Sequence, residues 1–251
     1  MPKGYLSLVL HAHLPFVRHP EDENFLEENW LYEAINETYL PMIQVMEELV
    51  RDGVNFRLTM SLTPPLVSML RDPLLQDRYI RHLDKLIELS DKEIHRTGYE
   101  PHYHGLALMY HQRFRDFRTL FIDTYNKDLV SAFKRFQDIG CLEIITCAAT
   151  HGFLPILNMN PKVVEAQIRV AVDHYKSVFG CSPRGMWLPE CGFVPGLDEV
   201  LKKAGVRFFF VDSHGIINAD PRPRYSVYAP IYAPSGTAAF GRDWESSKQV
   251  W

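Results

Sequence analysis

Short apolar runs alternate with longer amphipathic stretches along most of the chain. Five apolar runs have the length and composition of buried β-strands: they cover residues 5–10, 55–60, 142–147, 185–188 and 207–211. Three stretches with helical spacing cover residues 29–50, 161–179 and 197–204, and a glycine follows each within three residues. Pro41 predicts a kink in the first of these helices. This order of strands and helices predicts an α/β fold built from β/α units.

Two parts of the chain depart from this alternation. Residues 75–96 and 102–138 are charge-rich and helix-periodic with no strand between them, which predicts a helical insertion over about residues 75–140, between strands 2 and 3. Residues 215–245 are rich in proline, tyrosine and glycine, which predicts a loop with a short hairpin. The tyrosines of this loop either form a mobile flap over a site or pack the loop against the surface.

Composition limits the class of protein. The 251 residues are 46% hydrophobic and 23% charged, which is typical of one large globular domain. A formal net charge of −4 gives no electrostatic attraction to nucleic acid or to an anionic membrane, so a neutral substrate fits better. Aromatic residues make up 12% of the chain, which suits either stacking on sugar rings or packing in a core.

The cysteines and the first residues bear on location. The four cysteines show no C-x-x-C spacing, so we interpret them as reduced thiols of a cytoplasmic protein. The first four residues lead into an apolar run over residues 5–10, which is too short for a signal peptide or a membrane span. The sequence therefore predicts no membrane partner.

Candidate chemistry lies at the ends of the predicted strands. Glu190 comes directly after the fourth strand and Pro189. Pro189 stops the hydrogen-bond ladder of that strand, so Glu190 stands at the strand's carboxyl end. In a barrel of β/α units the carboxyl ends of the strands form the active site, which makes Glu190 a candidate catalytic residue. The competing interpretation is a loop carboxylate that faces water.

Three other predicted strands also end in histidine or acidic residues. His11 and His13 follow the first strand and share one face by strand alternation, His151 follows the third, and Asp212 and His214 follow the fifth. The pair at the first strand could bind a metal, hydrogen-bond sugar hydroxyls or serve as structural histidines. No carboxylate close in sequence completes a metal triad for this pair.

Three motifs together resemble glycoside hydrolase family 57, and within it the 1,4-α-glucan branching enzymes. They are His11-Ala12-His13-Leu14-Pro15-Phe16, Leu142-Glu143 with Thr150-His151-Gly152-Phe153-Leu154-Pro155, and Trp187-Leu188-Pro189-Glu190-Cys191. Residues 241–243 and 246–251 look like the continuation found in branching enzymes. The resemblance covers essentially the whole chain.

The resemblance implies an incomplete (β/α)7 barrel and a retaining mechanism in which Glu190 is the nucleophile. His11, His13 and His151 match motif histidines that line the donor site. The resemblance implies an α-glucan substrate and neither a catalytic metal nor another cofactor, and it leaves the oligomeric state open. We assign six further residues to substrate binding: Trp187, Asp212, His214, Tyr232, Arg242 and Asp243.

A retaining mechanism needs a second carboxylate, which acts as general acid and base. In the family this residue is an aspartate on a later strand, and no stretch between Glu190 and Trp251 resembles its motif. We therefore expect residues 1–251 to be the N-terminal portion of the catalytic barrel, and to be inactive and poorly stable on their own. If the chain were active as it stands, Asp212 or Asp243 would be the first candidates for the acid.

Four functions remain as hypotheses from the sequence. The first is a retaining transglycosylase that cleaves an α-1,4-glucan and transfers the chain to a 6-hydroxyl. An α-amylase or a 4-α-glucanotransferase would share the same motifs. From another class, a polysaccharide deacetylase-like enzyme would use His11, His13 and an aspartate to hold zinc, and a glucan-binding fragment without catalysis is the fourth hypothesis.

Overall fold

A computed structural model describes residues 4–250 of the chain. These residues form two compact units: a helical unit (residues 14–57 and 66–142), and a sheet unit that comprises the described residues before 14, those at 58–65 and those from 143 onward. The sequence analysis of the two chain ends also used Met1, Pro2, Lys3 and Trp251. These four residues lie outside the described residues. No helix among residues 4–250 is both long and apolar enough to cross a membrane.

The helical unit begins with α1 (Glu28–Ala34), a π-helical turn (Ile35–Tyr39) and α2 (Leu40–Arg51). The predicted kink coincides with the π-helical turn, which runs directly into α2, and Pro41 stands in the first turn of α2. Further helices are α3 (Pro64–Leu70), α4 (Pro73–Arg96), α5 (Pro101–Thr119), a π-helical turn (Leu120–Thr124) and α6 (Leu129–Asp138).

The helix predicted over residues 102–138 is divided in the structure. After the π-helical turn, Asn126 and Lys127 both take left-handed backbone angles, with φ of 48° and 63°. Asp128 then caps α6, because its Oδ1 accepts a hydrogen bond from the backbone N–H of Ser131 at 2.9 Å. Neither glycine nor proline marks this break, so the helical spacing on both sides hid it.

The sheet unit is built on seven strands. They are β1 (Val9–Ala12), β2 (Leu58–Leu62), β3 (Leu142–Cys147), β4 (Gly185–Trp187), β5 (Phe208–Val211), β6 (Ile231–Tyr232) and β7 (Ala238–Gly241), in the order β1-β2-β3-β4-β5-β7-β6. Of the pairs whose register is described within residues 4–250, four are parallel, and β6 pairs antiparallel with β7. Among the described residues β1 and β6 are the edges, so the sheet is open, as an incomplete (β/α)7 barrel requires.

Helices α7 (Leu154–Leu157), α8 (Pro161–Phe179), α9 (Leu197–Lys203), α10 (Ser213–Ile217) and α11 (Trp244–Lys248) follow the strands. β3 and α8 have the bounds that the sequence predicts, and Gly180 ends α8 with φ of 74°. Apolar residues of α8 and α9 pack on β4 and β5 around the buried Met186 and Phe209. Tyr175 on α8 donates from its hydroxyl to the backbone carbonyl of Ile144 on β3 at 2.9 Å.

Several strands differ from the sequence prediction, and β2 (Leu58–Leu62) lies later than the predicted residues 55–60. β1 begins at Val9 rather than at residue 5, and Tyr5 and Leu6 are exposed. The segment 215–245, predicted as a loop or flap with a short hairpin, contributes a strand to the main sheet: β6 and β7 form the hairpin, and β7 runs parallel to β5 over four paired positions. Its residues Ala238 and Ala239 have low strand propensity, which concealed it.

Candidate active site

Glu190 occupies a strained turn at the carboxyl end of β4. Its φ and ψ are 51° and 26°, and Cys191 also has a positive φ of 54°. Left-handed angles in residues other than glycine cost roughly 1–3 kcal/mol each, and surrounding contacts must hold them. Pro189 and Cys191 are buried on either side, whereas Glu190 is exposed. The backbone of the turn is therefore anchored, and the Glu190 side chain faces solvent.

Gly192 brings this turn against the segment that follows β3. A β-carbon at Gly192 would lie 2.3 Å from the ring of Phe153 and 2.9 Å from Cγ of Pro155. Its φ of −73° is open to any residue, so the glycine serves close packing and not backbone geometry. Because Phe153 and Pro155 follow His151 in sequence, this contact sets the position of the His151 segment relative to Glu190.

Three histidines come together beside this turn. Nε2 of His11 lies 3.1 Å from Nε2 of His151. The rings of His13 and His151 are stacked, with centroids 3.6 Å apart and planes 11° apart. The second ring nitrogen of His11 contacts the hydroxyl of Ser61, and Nδ1 of His13 lies 3.1 Å from the hydroxyl of Thr63. The predicted common face of His11 and His13 is confirmed, although His11 lies within β1 and not after it.

The three imidazoles are held in their neutral form. Burial, reinforced by repulsion from His151, lowers the pKa of His11 to about 3 and that of His13 to about 4. Burial also lowers the pKa of His151, while the Glu190 carboxylate acts in the opposite direction. At neutral pH the cluster therefore offers uncharged N–H donors and nitrogen acceptors, which suit sugar hydroxyls better than a fixed positive charge would.

Trp187 and Arg242 form the other side of this group. Trp187 is buried, and its ring stacks on His11 with centroids 4.6 Å apart. The Arg242 guanidinium lies 5.6 Å from the centre of the Trp187 ring and 3.1 Å from Oδ1 of Asp212. Arg242 thus pairs with Asp212 at the carboxyl end of β5 and also contacts the Trp187 ring.

Cys191 lies between these groups. Burial and the charge of Asp212 raise the pKa of its thiol to about 11, so the thiol is un-ionised and unreactive at neutral pH.

Three of the predicted binding residues lie outside the contacts described above, and their role stays a prediction. Asp243 caps α11, because its carboxylate accepts hydrogen bonds from the backbone N–H of Glu245 and from the hydroxyl of Ser246. Tyr232 is 81% exposed on β6, and His214 is exposed in α10. The structure brings together His11, His13, His151, Trp187, Asp212 and Arg242.

Sequence analysis missed Ser61 and Thr63, whose hydroxyls contact the histidines. Both are fully buried. The signal that would have found them is the parallel register, in which His11 pairs with Ser61 and the Thr63 N–H donates to the Ala12 carbonyl. Ser-x-Thr at the end of strand 2 therefore matches His-x-His at the end of strand 1.

The zinc hypothesis required His11, His13 and an aspartate around one ion. In residues 4–250 no group of three His, Cys, Asp or Glu side chains has a geometry suited to a metal. Both ring nitrogens of His11 already face protein partners, so neither nitrogen is directed at an open position.

Comparison with known proteins gives related sequences over nearly the whole chain. A 1,4-alpha-glucan branching enzyme of Thermococcus kodakarensis is 32% identical over 99% of this chain and 40% of its own length. The crystal structure of the alpha-amylase AmyC of Thermotoga maritima has a TM-score of 0.94 and 50% identity, over 99% of this chain and 47% of that one. A family 57 branching enzyme of Pyrococcus horikoshii has a TM-score of 0.91 and 33% identity, over 100% of this chain and 49% of that one.

The chain thus spans less than half the length of these relatives. Residues 7–250 match the model of glycosyl hydrolase family 57. An exposed carboxylate at the end of a strand, a neighbouring histidine cluster and this match lead to one assignment: the chain belongs to glycosyl hydrolase family 57.

Proposed function

We propose that the protein is a retaining enzyme of α-glucans in which Glu190 is the nucleophile. The observation that carries this proposal is the placement of Glu190 on a strained, anchored turn at the carboxyl end of β4, beside the neutral histidines. A carboxylate carried on an anchored backbone loses less freedom when it attacks, which lowers the entropic part of the barrier.

The reaction proceeds in two displacements. An oxygen of Glu190 attacks the anomeric carbon, the glycosidic C–O bond breaks, and the departing oxygen takes a proton from a general acid. The resulting glycosyl ester is then attacked by an acceptor, either a glucan 6-hydroxyl or water, which gives up its proton to the same group now acting as base. Trp187 supplies an aromatic face beside the site, and His13 and His151 supply hydrogen-bonding groups.

We do not assign the general acid to Asp212 or Asp243. Asp212 already pairs with Arg242, and Asp243 caps α11. Each carboxylate is therefore already engaged by protein groups, which leaves it poorly placed to reach a leaving oxygen.

For the acceptor we propose a 6-hydroxyl, that is, a branching enzyme, because branching enzymes match this chain over nearly all its residues. A specific observation favours hydrolysis as a second candidate: the Thermotoga maritima alpha-amylase is 50% identical, against 33% for the Pyrococcus horikoshii branching enzyme. Linkage analysis of the products from amylose distinguishes them, since only branching creates α-1,6 bonds.

The nucleophile is tested by covalent trapping with 5-fluoro-α-glucosyl fluoride. Fluoride leaves without protonation, so the test does not depend on the general acid. We expect mass spectrometry to find the sugar ester on the peptide that contains Glu190, and to find none in Glu190→Gln. The matched control is Glu199→Gln on the exposed surface of α9, which should label normally. Labelling of a different carboxylate in the parent protein would remove Glu190 from the mechanism.

A further inference from the structure

One buried hydroxyl within β2 and another just after its last residue face the histidine cluster. Ser61 and Thr63 are both inaccessible to solvent, and each side-chain oxygen contacts Nδ1 of one histidine. Their spacing of two residues matches that of His11 and His13, because β1 and β2 are parallel and in register. Each of the two hydroxyls therefore contacts one of the two imidazoles.

The direction of these hydrogen bonds follows from what a buried hydroxyl requires. Within residues 4–250, the Ser61 hydroxyl has His11 Nδ1 as its one side-chain partner. A buried O–H without an acceptor is strongly disfavoured, so the Ser61 hydroxyl donates and His11 Nδ1 accepts. Neutral imidazole carries one hydrogen, which then stands on Nε2 of His11.

This assignment also determines the tautomer of His151. Nε2 of His11 faces Nε2 of His151 at 3.1 Å, so the hydrogen on His11 requires an unprotonated Nε2 on His151. The hydrogen of neutral His151 then stands on Nδ1.

The same reasoning applies to the second pair. Thr63 Oγ1 lies 3.1 Å from Nδ1 of His13, and donation by the hydroxyl leaves the hydrogen of His13 on Nε2. Nε2 of His13 is not engaged by another described side chain, in contrast to Nε2 of His11. Of the two, His13 therefore has an N–H available for a ligand oxygen.

We propose that Ser61 and Thr63 are positioning residues that fix the tautomers of His11, His13 and His151, so that His13 presents Nε2–H as the donor that contacts a sugar oxygen. The sugar in this statement rests on the proposed function, whereas the tautomers rest on the geometry alone. A substrate oxygen at this point is an acceptor, which makes the site select for a hydroxyl or ring oxygen and against an N–H or ammonium group.

The test is ¹⁵N NMR of the imidazoles in the 251-residue protein at neutral pH, since the ¹⁵N shift distinguishes a protonated from an unprotonated ring nitrogen. Signals are assigned with single His→Gln variants. We expect Nε2–H for His11 and His13, and Nδ1–H for His151. In Thr63→Val, which keeps the side-chain shape but removes the hydroxyl, His13 should become a mixture of tautomers, whereas Thr63→Ser should retain the parent signal. Ser61→Ala should do the same to His11 and His151.

Affinity for maltooligosaccharides gives the second measurement. Thr63→Val should weaken it about 3–10-fold, as expected for one hydrogen bond of about 0.5–1.5 kcal/mol, and Thr63→Ser should restore it. Nδ1–H on His11 and His13 in the parent protein, or tautomers unchanged by both hydroxyl deletions, would overturn the proposal. The expected tautomers without any oligosaccharide binding would uphold it and count against the proposed function instead.

Discussion

The histidine cluster should make folding stability depend on pH in a defined window. In the folded protein burial lowers the pKa of His11 to about 3 and that of His13 to about 4, from an ordinary value of 6.5. Replacing both residues by glutamine removes the two titrating rings and keeps hydrogen-bonding groups at the same positions. We expect the double variant to lose less stability than the parent protein as the pH falls.

The sign follows from proton binding. Below pH 6.5 the unfolded chain protonates both histidines while the folded chain does not, so acid favours unfolding. Stability contributed by the neutral rings is complete above pH 6.5, declines below it and is lost by about pH 3. Two protons correspond to a limiting slope of about 2.7 kcal/mol per pH unit between pH 6.5 and 4. Both rings are partly open to water, which screens the penalty, so we expect roughly 1–2 kcal/mol per pH unit.

The assay is urea unfolding of the parent protein and of the double variant at intervals from pH 7.5 to 4. Carboxylates titrate in both proteins and cancel in the difference. His95→Gln, on the exposed end of α4, is the control for loss of a histidine outside the cluster, and its curve should follow that of the parent. Parallel pH curves for the parent and the double variant would refute the reasoning.

Three further predictions concern the same site. Gly192→Ala should cost about 1–3 kcal/mol in urea unfolding and should slow trapping on Glu190, because the added methyl group would overlap the Phe153 ring; unchanged trapping would disprove the coupling of the two segments. Arg242→Lys keeps the charge but loses the planar group over Trp187, so maltooligosaccharide affinity should fall severalfold in calorimetry while the melting temperature changes little. Removal of metal ions with EDTA should leave both trapping and the melting temperature unchanged; stoichiometric zinc that is lost in His11→Ala would instead support the deacetylase hypothesis.

Sequence predicted best those elements whose boundaries have local causes. α8 begins at Pro161 and ends at Gly180, and both residues act through the backbone alone, so the predicted bounds are confirmed. β7 has no such local signal, because its Ala-Ala-Phe-Gly sequence becomes a strand through pairing with β5. The glycine at position 241 is also explained by tertiary packing, since a β-carbon there would lie 2.7 Å from Ile216. The start of β1 at Val9 is likewise set by its partner, for Val9 pairs with Thr59.

Some features of the candidate site were likewise predictable from the sequence, and others were not. Strand alternation predicted that His11 and His13 share a face, and chain order placed Glu190 after a strand. The left-handed angles of His151 and Glu190 were not predictable, because such angles are usually read from glycine or asparagine and here tertiary contacts impose them. For Asp243 the sequence suggested a ligand contact through a family motif and did not show its structural role, which is to cap α11.

The discontinuity of the sheet unit has a consequence for the order of folding. β2 ends at Leu62 and β3 begins at Leu142, so the two neighbouring strands meet only after the intervening chain closes a long loop. If that chain were unstructured, closure would cost about 4 kcal/mol of entropy, and prior folding of the helices reduces this cost. His11 and His151, which are 140 positions apart, depend on the same closure. The histidine contact should therefore form in a late, slow phase of refolding, after the local helices, as expected for contacts of high sequence separation.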